Sequence, residues 1–204
     1  MKKIKKALIS ISNKKNLYLL LKNLAKFKIQ LISSGGTYKE IKKLGFKCQE
    51  ISKYIGSPEI LGGRIKTLHP KIHAGILNKR NNKSHQTDLI KNNFEKIDLV
   101  IVNFYPFEKT LESTNNHNKI IENIDVGGPT MVRAAAKNYN DVTVITNSKQ
   151  YNELIKELNS NKGSTSFDFR QKMSEEAFNE TAYYDALIAN YFNKKSKNLF
   201  PQKK

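Results

Sequence analysis

Along most of the chain, short runs of apolar residues alternate with segments in which apolar residues recur at helical spacing. Short apolar runs predict buried strands at 6–10, 29–33, 46–51, 97–103 and 142–145. Apolar residues at helical spacing predict helices at 17–27, 38–44, 87–93, 119–122, 125–137, 151–158 and 169–192. The stretch 52–77 is punctuated by Gly and Pro, and we expect it to be irregular.

This alternation predicts an α/β fold. Strands followed by helices form right-handed βαβ units, which build a mainly parallel sheet. Ligands of such sheets bind on the loops that follow the carboxyl ends of the strands. Candidate chemistry is therefore sought in those loops.

Length and composition are those of one globular domain. The chain has 204 residues, and 38% of them are hydrophobic. Cys48 is the only cysteine, which excludes an intrachain disulfide and a cysteine-based metal cluster. No run approaches the roughly 18 apolar residues of a membrane span, and the basic start is followed by too short an apolar segment for a secretory signal. We expect a soluble, cytoplasmic protein with no membrane partner.

The net charge of +18 raises the question of nucleic-acid binding. Of the 36 basic residues, only those at 64, 80, 133 and 170 are arginine, the residue that recognises bases and phosphates in a bidentate manner. The lysines are spread over nearly every segment. We interpret them as a solvated surface that attracts small anions, not as a nucleic-acid interface.

Two candidate anion sites follow the first two strands. The first loop supplies hydroxyl, amide and amine groups at Ser12, Asn13 and Lys14. The second loop is Ser34-Gly35-Gly36-Thr37, in which paired glycines let backbone N–H groups turn onto a phosphate. Considered singly, the first loop is also explained by helix capping and the second by a tight turn. Their occurrence on adjacent strand ends favours a phosphorylated small molecule.

The third loop is rich in basic and hydroxyl groups. It contains Arg64, Lys66 and Thr67, followed by His69 and His73 at the spacing of paired helical metal ligands. A proline separates the two histidines and no acidic residue accompanies them, so a metal site is not favoured. Electrostatic or proton-transfer work by Lys66 is the preferred interpretation.

The last two loops add aromatic and acidic groups. Asn103, Phe104 and Tyr105 follow the most strand-like run, and Phe104 could stack on a heterocycle or belong to the core. Asp125 precedes a Gly-Gly-Pro helix start and is either a helix cap or a functional carboxylate. Lys137 lies farther along the same helix.

These segments together resemble one family, the IMP cyclohydrolase half of the bifunctional AICAR transformylase/IMP cyclohydrolases. The resemblance covers 7–200 and is carried by 63–70, 105–107 and 123–138. The Ser-Gly-Gly-Thr segment alone is not specific, because methylglyoxal synthase and the regulatory domain of carbamoyl-phosphate synthetase share that phosphate-binding fold. The resemblance implies a methylglyoxal-synthase-like three-layer fold over 1–197. Residues 198–204 would begin a linker toward a transformylase domain that this sequence does not contain, so transformylase activity is not expected.

The resemblance also implies an activity. The substrate would be 5-formamidoimidazole-4-carboxamide ribotide (FAICAR), which loses water to give IMP in de novo purine biosynthesis, with no metal or organic cofactor, in a homodimer. The matching catalytic positions are Lys66, Tyr105, Asp125 and Lys137. The matching substrate-binding positions are Ser12, Asn13, Lys14, Ser34, Gly35, Gly36, Thr37, Arg64, Thr67, Asn103, Phe104 and Val126.

One segment departs from the family pattern. The family has Ser-Asp-Lys-Thr-Gly after the first strand, whereas this chain has Ser12-Asn13-Lys14-Lys15-Asn16. Loss of a negative charge beside a phosphate should not weaken binding, so the assignment is kept. Two other functions remain open: a methylglyoxal-synthase-type phosphate lyase, and a nucleotide-sensing module without catalysis.

Overall fold

A computed structural model describes residues 1–196, and the expected linker at 198–204 lies outside the described residues. The strands are β1 (Lys2–Lys3), β2 (Lys6–Ile11), β3 (Gln30–Ser33), β4 (Gln49–Glu50), β5 (Leu99–Asn103), β6 (Thr143–Ile145) and β7 (Ser164–Thr165). The α-helices are α1 (Leu17–Lys26), α2 (Gly35–Lys43), α3 (Ile51–Ile55), α4 (Pro70–Leu77), α5 (Lys83–Lys91), α6 (Phe107–Ser113), α7 (His117–Glu122), α8 (Gly127–Lys137), α9 (Tyr151–Ser160) and α10 (Phe167–Ser196).

The core of the fold is a five-stranded parallel sheet of order β4-β3-β2-β5-β6. Nearly every side chain of β2 and β5 is buried, as expected of strands covered on both faces. The connections β2-α1-β3 and β5-α8-β6 run in opposite directions across the sheet. Right-handed crossovers therefore place α1 and α8 on opposite faces, which gives three layers.

Helices pack against one another within each outer layer. On one face α8 contacts α4 and α10, and on the other α1 contacts α9. The reversal of strand order between β2 and β5 makes their carboxyl ends a topological switch point, where ligands of open α/β sheets bind. The predicted α/β fold with a mainly parallel central sheet is thus confirmed.

Several element predictions were wrong in detail. The third predicted strand, 46–51, is reduced to β4, because the chain turns into α3 at Ile51. The stretch 52–77 contains α3 and α4, and Pro70 occupies the first turn of α4, where proline is well tolerated. Helix α6 lies in a segment for which no helix was predicted. Strands β1 and β7 pair in an antiparallel ribbon, and the pattern of apolar residues predicted neither of them.

No helix within residues 1–196 is both long enough and apolar enough to cross a bilayer.

Candidate active site

Asn103 joins the loops that follow β2 and β5. Asn103 is paired in register with Ile11, so it lies at the switch point. Its Oδ1 accepts hydrogen bonds from Ser12 N at 2.7 Å and from Asn13 N at 3.0 Å, and lies 2.9 Å from Ser12 Oγ. Ser12 Oγ also lies 2.8 Å from the carbonyl oxygen of Phe104. The side chains of Ser12 and Asn103 thus shape the site, and the predicted capping of α1 by Ser12 is not observed.

Thr37 attaches helix α2 to the end of β2. Its Oγ1 accepts from Ile11 N at 3.1 Å and donates to Ile11 O at 2.9 Å. The hydroxyl of Thr37 is therefore fully engaged within the protein. Ser34 is buried directly before α2 and makes no side-chain capping bond, so its hydroxyl is the one that this turn offers to a ligand.

Two lysines converge on the N-terminus of α2. A Cβ built on Gly36 would lie 3.7 Å from Lys14 Nζ, and one built on Gly35 would lie 3.9 Å from Lys66 Nζ. Gly35 adopts φ +51°, in the left-handed region that glycine tolerates. Free backbone N–H groups at a helix N-terminus together with two ammonium groups form a binding site for a phosphate.

Lys66 is held by a tight reversal of the chain. Leu61, Gly62 and Gly63 have φ of 53°, 64° and 91°. A Cβ on Gly63 would lie 2.9 Å from Lys66 Cε, so the lysine stem runs directly over this glycine. Lys66 Nζ forms an ion pair with Glu59 Oε2 at 3.1 Å. No sequence motif pointed to Glu59.

Arg64 and Thr67 connect this loop to the segment before α8. Arg64 pairs with the carboxylate of Glu122 at the end of α7. Thr67 is buried, and a Cβ on Gly127 would lie 2.7 Å from Thr67 Oγ1. The basic loop therefore packs closely against the N-terminus of α8.

Asp125 is fixed by two hydrogen bonds. Its Oδ1 accepts from Gly128 N at 2.8 Å, which confirms the helix-cap interpretation, and its backbone N–H donates to Tyr184 Oη at 2.8 Å. A Cβ on Gly128 would lie 2.4 Å from Asp125 Oδ2, so only glycine permits this approach. Burial raises the pKa of the Asp125 carboxyl above its usual value, against the opposing hydrogen bond from Gly128. A carboxylate of raised pKa can accept a proton more readily than an exposed one.

The aromatic residues after β5 differ in their surroundings. Phe104 is buried and packs against Tyr184 with ring centroids 5.0 Å apart, and Phe107 is also buried, as the core interpretation predicted. Tyr105 is 58% exposed, which leaves its phenol free for a ligand. A cavity of about 510 Å³ adjoins Ser12, Phe104 and Tyr105 and extends toward α10.

These contacts form a closed series around the carboxyl end of β2. From Gly36 the series passes to Lys14 and Ser12, then through Asn103 and Phe104 to Tyr184, and on to Asp125. From there it returns through Gly127, Thr67 and Lys66 to Gly35. We call these residues the site ring. It brings together the start of α2, two ammonium groups and a partly buried carboxylate. Val126 is 59% exposed at the start of α8 beside Asp125.

Lys137 is not brought to the site ring. It is exposed in the last turn of α8, ten residues beyond Gly127, and therefore about 15 Å away along the helix axis. The adjacent Asn138 donates to backbone oxygens of Ile76 and Asn78. A catalytic role for Lys137 stays a prediction.

The two histidines of the basic loop have different surroundings. His69 Nδ1 accepts from Lys71 N at 3.1 Å and caps α4. Burial lowers the pKa of His73, which favours its neutral form. Within residues 1–196 no group of three or more His, Cys, Asp or Glu side chains is arranged to hold a metal ion.

Two family models match the chain. The model of the MGS-like domain matches residues 16–130, and the model described as AICARFT/IMPCHase bienzyme matches residues 135–204. Together they cover α10 and the site ring apart from Ser12 and Lys14.

Known proteins match over most of the chain. The protein named "Bifunctional purine biosynthesis protein PurH" from Rippkaea orientalis is 50% identical over 188 residues, which is 91% of this chain and 36% of that protein. The protein of the same name from Bradyrhizobium diazoefficiens is 43% identical over 95% of this chain and 36% of its own length. This chain therefore spans about a third of the length of these relatives.

One solved structure matches the whole fold. The structure described as "Crystal structure of ForH" superposes with a TM-score of 0.82 at 30% identity, covering 93% of this chain and 99% of that chain.

Proposed function

The chain belongs to the MGS-like family and matches the N-terminal, IMP cyclohydrolase-like part of the purine-biosynthesis bienzymes, and from that premise we propose that it closes FAICAR to IMP. The observation that carries the proposal is the site ring, in which Lys66 lies beside the start of α2 and the adjacent Thr67 packs against the segment that holds the partly buried Asp125. A ribonucleotide carries a phosphate at one end and the reacting amides at the other. Such a ligand matches the two ends of this arrangement.

The phosphate would bind at the start of α2. Backbone N–H groups of Gly35 and Gly36, the hydroxyl of Ser34 and the ammonium of Lys14 face one another there. Arg64, Thr67 and Val126 would border the ribose and base. Thr37 and Asn103, whose side chains are engaged within the protein, would contribute through the geometry of the loops that they hold.

The reaction joins the carboxamide nitrogen of the substrate to its formyl carbon and then expels water. Asp125 would accept a proton from the carboxamide nitrogen as the C–N bond forms. Lys66 would stabilise the oxyanion that develops on the former formyl oxygen. That oxygen takes two protons to depart as water: Asp125 would return the proton that it accepted, and Tyr105 would supply the second, since Lys137 lies about 15 Å away along α8. The Tyr105 phenolate would then recover a proton from the former formamide N–H as the C=N bond of the new ring forms. Holding the two amides in contact contributes further, as in other intramolecular reactions.

The experiment offers this chain three ligands in parallel. FAICAR is followed for conversion to IMP, dihydroxyacetone phosphate for methylglyoxal, and IMP for binding by calorimetry. We expect IMP formation and IMP binding, and no methylglyoxal. Methylglyoxal formation would replace the proposal with a phosphate lyase, and IMP binding without turnover would replace it with a nucleotide-sensing module. The homodimer remains a prediction from the resemblance, and the cytoplasmic location remains a prediction from the sequence composition.

A further inference from the structure

Tyr184 belongs to α10 and links two loops of the site ring. Its side chain is only 5% exposed, and its hydroxyl oxygen accepts the backbone N–H of Asp125 at 2.8 Å. Its ring packs against Phe104 at 5.0 Å and against Phe107 at 6.2 Å between centroids. These two phenylalanines flank the exposed Tyr105. One side chain therefore contacts both the Asp125 loop and the turn that carries Tyr105.

The contact with Asp125 comes from outside the loop itself. The carboxylate accepts from Gly128 within the same segment, whereas the backbone N–H donates to the tyrosine on α10, its one partner among residues 1–196. Asp125 directly precedes the start of α8, so a small rotation of its backbone would move the carboxylate away from the close approach at Gly128. The hydroxyl of Tyr184 opposes that rotation, because a partly buried backbone N–H that loses its partner costs free energy.

We propose that Tyr184 is a positioning residue of the cyclisation site, which holds Asp125 through its hydroxyl and the Phe104–Tyr105 turn through its ring. The proposal rests on the proposed function. It assigns to α10 a part in the reaction that no motif of the sequence indicated. Tyr184 acts through Asp125 and is not itself a group that reacts.

The test is a double-mutant cycle of Tyr184→Phe with Asp125→Asn. The phenylalanine keeps the ring contacts and removes only the hydroxyl. We expect Tyr184→Phe to lower kcat about tenfold and to change KM for FAICAR less than about twofold, since the phosphate turn is untouched. In the Asp125→Asn background the same change should lower kcat less than about twofold, because the carboxylate that it positions is already absent.

Tyr151→Phe is the matched control. Tyr151 on α9 is 1% exposed, and its hydroxyl has no hydrogen-bond partner in the described part of the chain. The Tyr151→Phe substitution also removes a buried tyrosine hydroxyl, but one that lies away from the site ring. We expect the kcat of this variant to stay within about twofold of wild type. Hydrogen exchange of the Asp125 amide supplies a second readout. It should be about tenfold faster in Tyr184→Phe and unchanged in Tyr151→Phe.

The possible outcomes bear separately on the positioning role of Tyr184 and on the cyclohydrolase proposal. Equal loss of kcat in both backgrounds, or an unchanged Asp125 amide in Tyr184→Phe, would overturn the positioning role while the cyclohydrolase proposal stands. A folded wild-type chain without FAICAR turnover would overturn both proposals together.

Discussion

At the scale of single residues, several predicted binding side chains are engaged within the protein. The hydroxyl of Thr37 bonds to both backbone groups of Ile11, and the amide oxygen of Asn103 bonds to the backbone of Ser12 and Asn13. Asp125 likewise caps the start of α8. Such bonds hold the loops in place before a ligand arrives, so less conformational entropy is lost on binding. The site lysines remain as the groups whose removal should separate binding from catalysis.

Lys66→Ala and Lys14→Ala form a matched pair of charge deletions. Both ammonium groups lie beside the start of α2, but Lys66 also directly precedes Thr67, which packs against Gly127 next to the Asp125 segment. We expect Lys66→Ala to lower kcat at least about 100-fold with IMP affinity within about tenfold. Lys14→Ala should chiefly raise KM. Steady-state kinetics and calorimetry on both variants check this, and equal losses of binding and rate in Lys66→Ala would make it a phosphate anchor instead.

Asp125→Asn should separate activity from stability. Because the folded state raises the pKa of Asp125, the ionised carboxylate costs folding free energy above the folded-state pKa, and this cost vanishes as the pH falls below the unfolded-state pKa. Asparagine carries no charge and can still accept the Gly128 N–H. We therefore expect Tm at pH 7 to be no lower than that of wild type while kcat falls about 100-fold. A rate near wild type would show that no carboxylate is needed.

At the scale of elements, patterns of apolar residues were sufficient for the sheet but not for the basic loop. Helix α4 was missed because Gly75 and Pro70 both indicate interruption. Pro70 in fact starts the helix, and a Cβ on Gly75 would lie 2.7 Å from Glu95 O, so that glycine is required by tertiary packing that one sequence does not show. Helix α6 buries little beyond Phe107 and thus has no periodicity to detect. The contact between Asp125 and Tyr184 of α10 could not be predicted from these patterns either, because the two residues lie 59 positions apart in the chain.

Gly63→Ala, with Gly45→Ala as its control, tests the reversal that holds Lys66. The two glycines have similar positive φ, 91° and 84°, so alanine should strain the backbone equally, by about 1 kcal/mol. A Cβ at Gly63 would meet Lys66 Cε at 2.9 Å, whereas one at Gly45 meets nothing within 4 Å. We expect similar losses of Tm but a fall of kcat of at least about tenfold only in Gly63→Ala. Equal activities would show that the position of Lys66 does not depend on this contact.

At the scale of the whole molecule, the chain carries a net charge of +18 around a site for which we propose an anionic ligand. Much of this charge is lysine spread over the surface, as the sequence indicated, and such a field raises the rate of encounter with negative ligands. The parallel sheet determines where on the molecule the ligand-binding loops meet. Its strand order reverses between β2 and β5, and residues predicted from five separate loops meet at that point.

Ionic strength should therefore affect encounter more than chemistry. Between about 20 mM and 500 mM salt we expect kcat/KM for FAICAR to fall about three- to tenfold while kcat changes less than about twofold. The matched control is the ribonucleoside that lacks the phosphate, whose kcat/KM should be nearly independent of salt. Equal salt dependence of the two substrates would argue against electrostatic attraction of the phosphate.

The most direct measurement is the rate of IMP formation from FAICAR by this 204-residue chain, followed by absorbance beside a buffer blank and the Asp125→Asn variant. A single closed ring of binding and catalytic groups predicts that the wild-type chain accelerates ring closure at least about a thousandfold over buffer, and that the variant loses most of this rate while still binding IMP. A folded wild-type chain that binds IMP but forms it no faster than buffer would contradict the account.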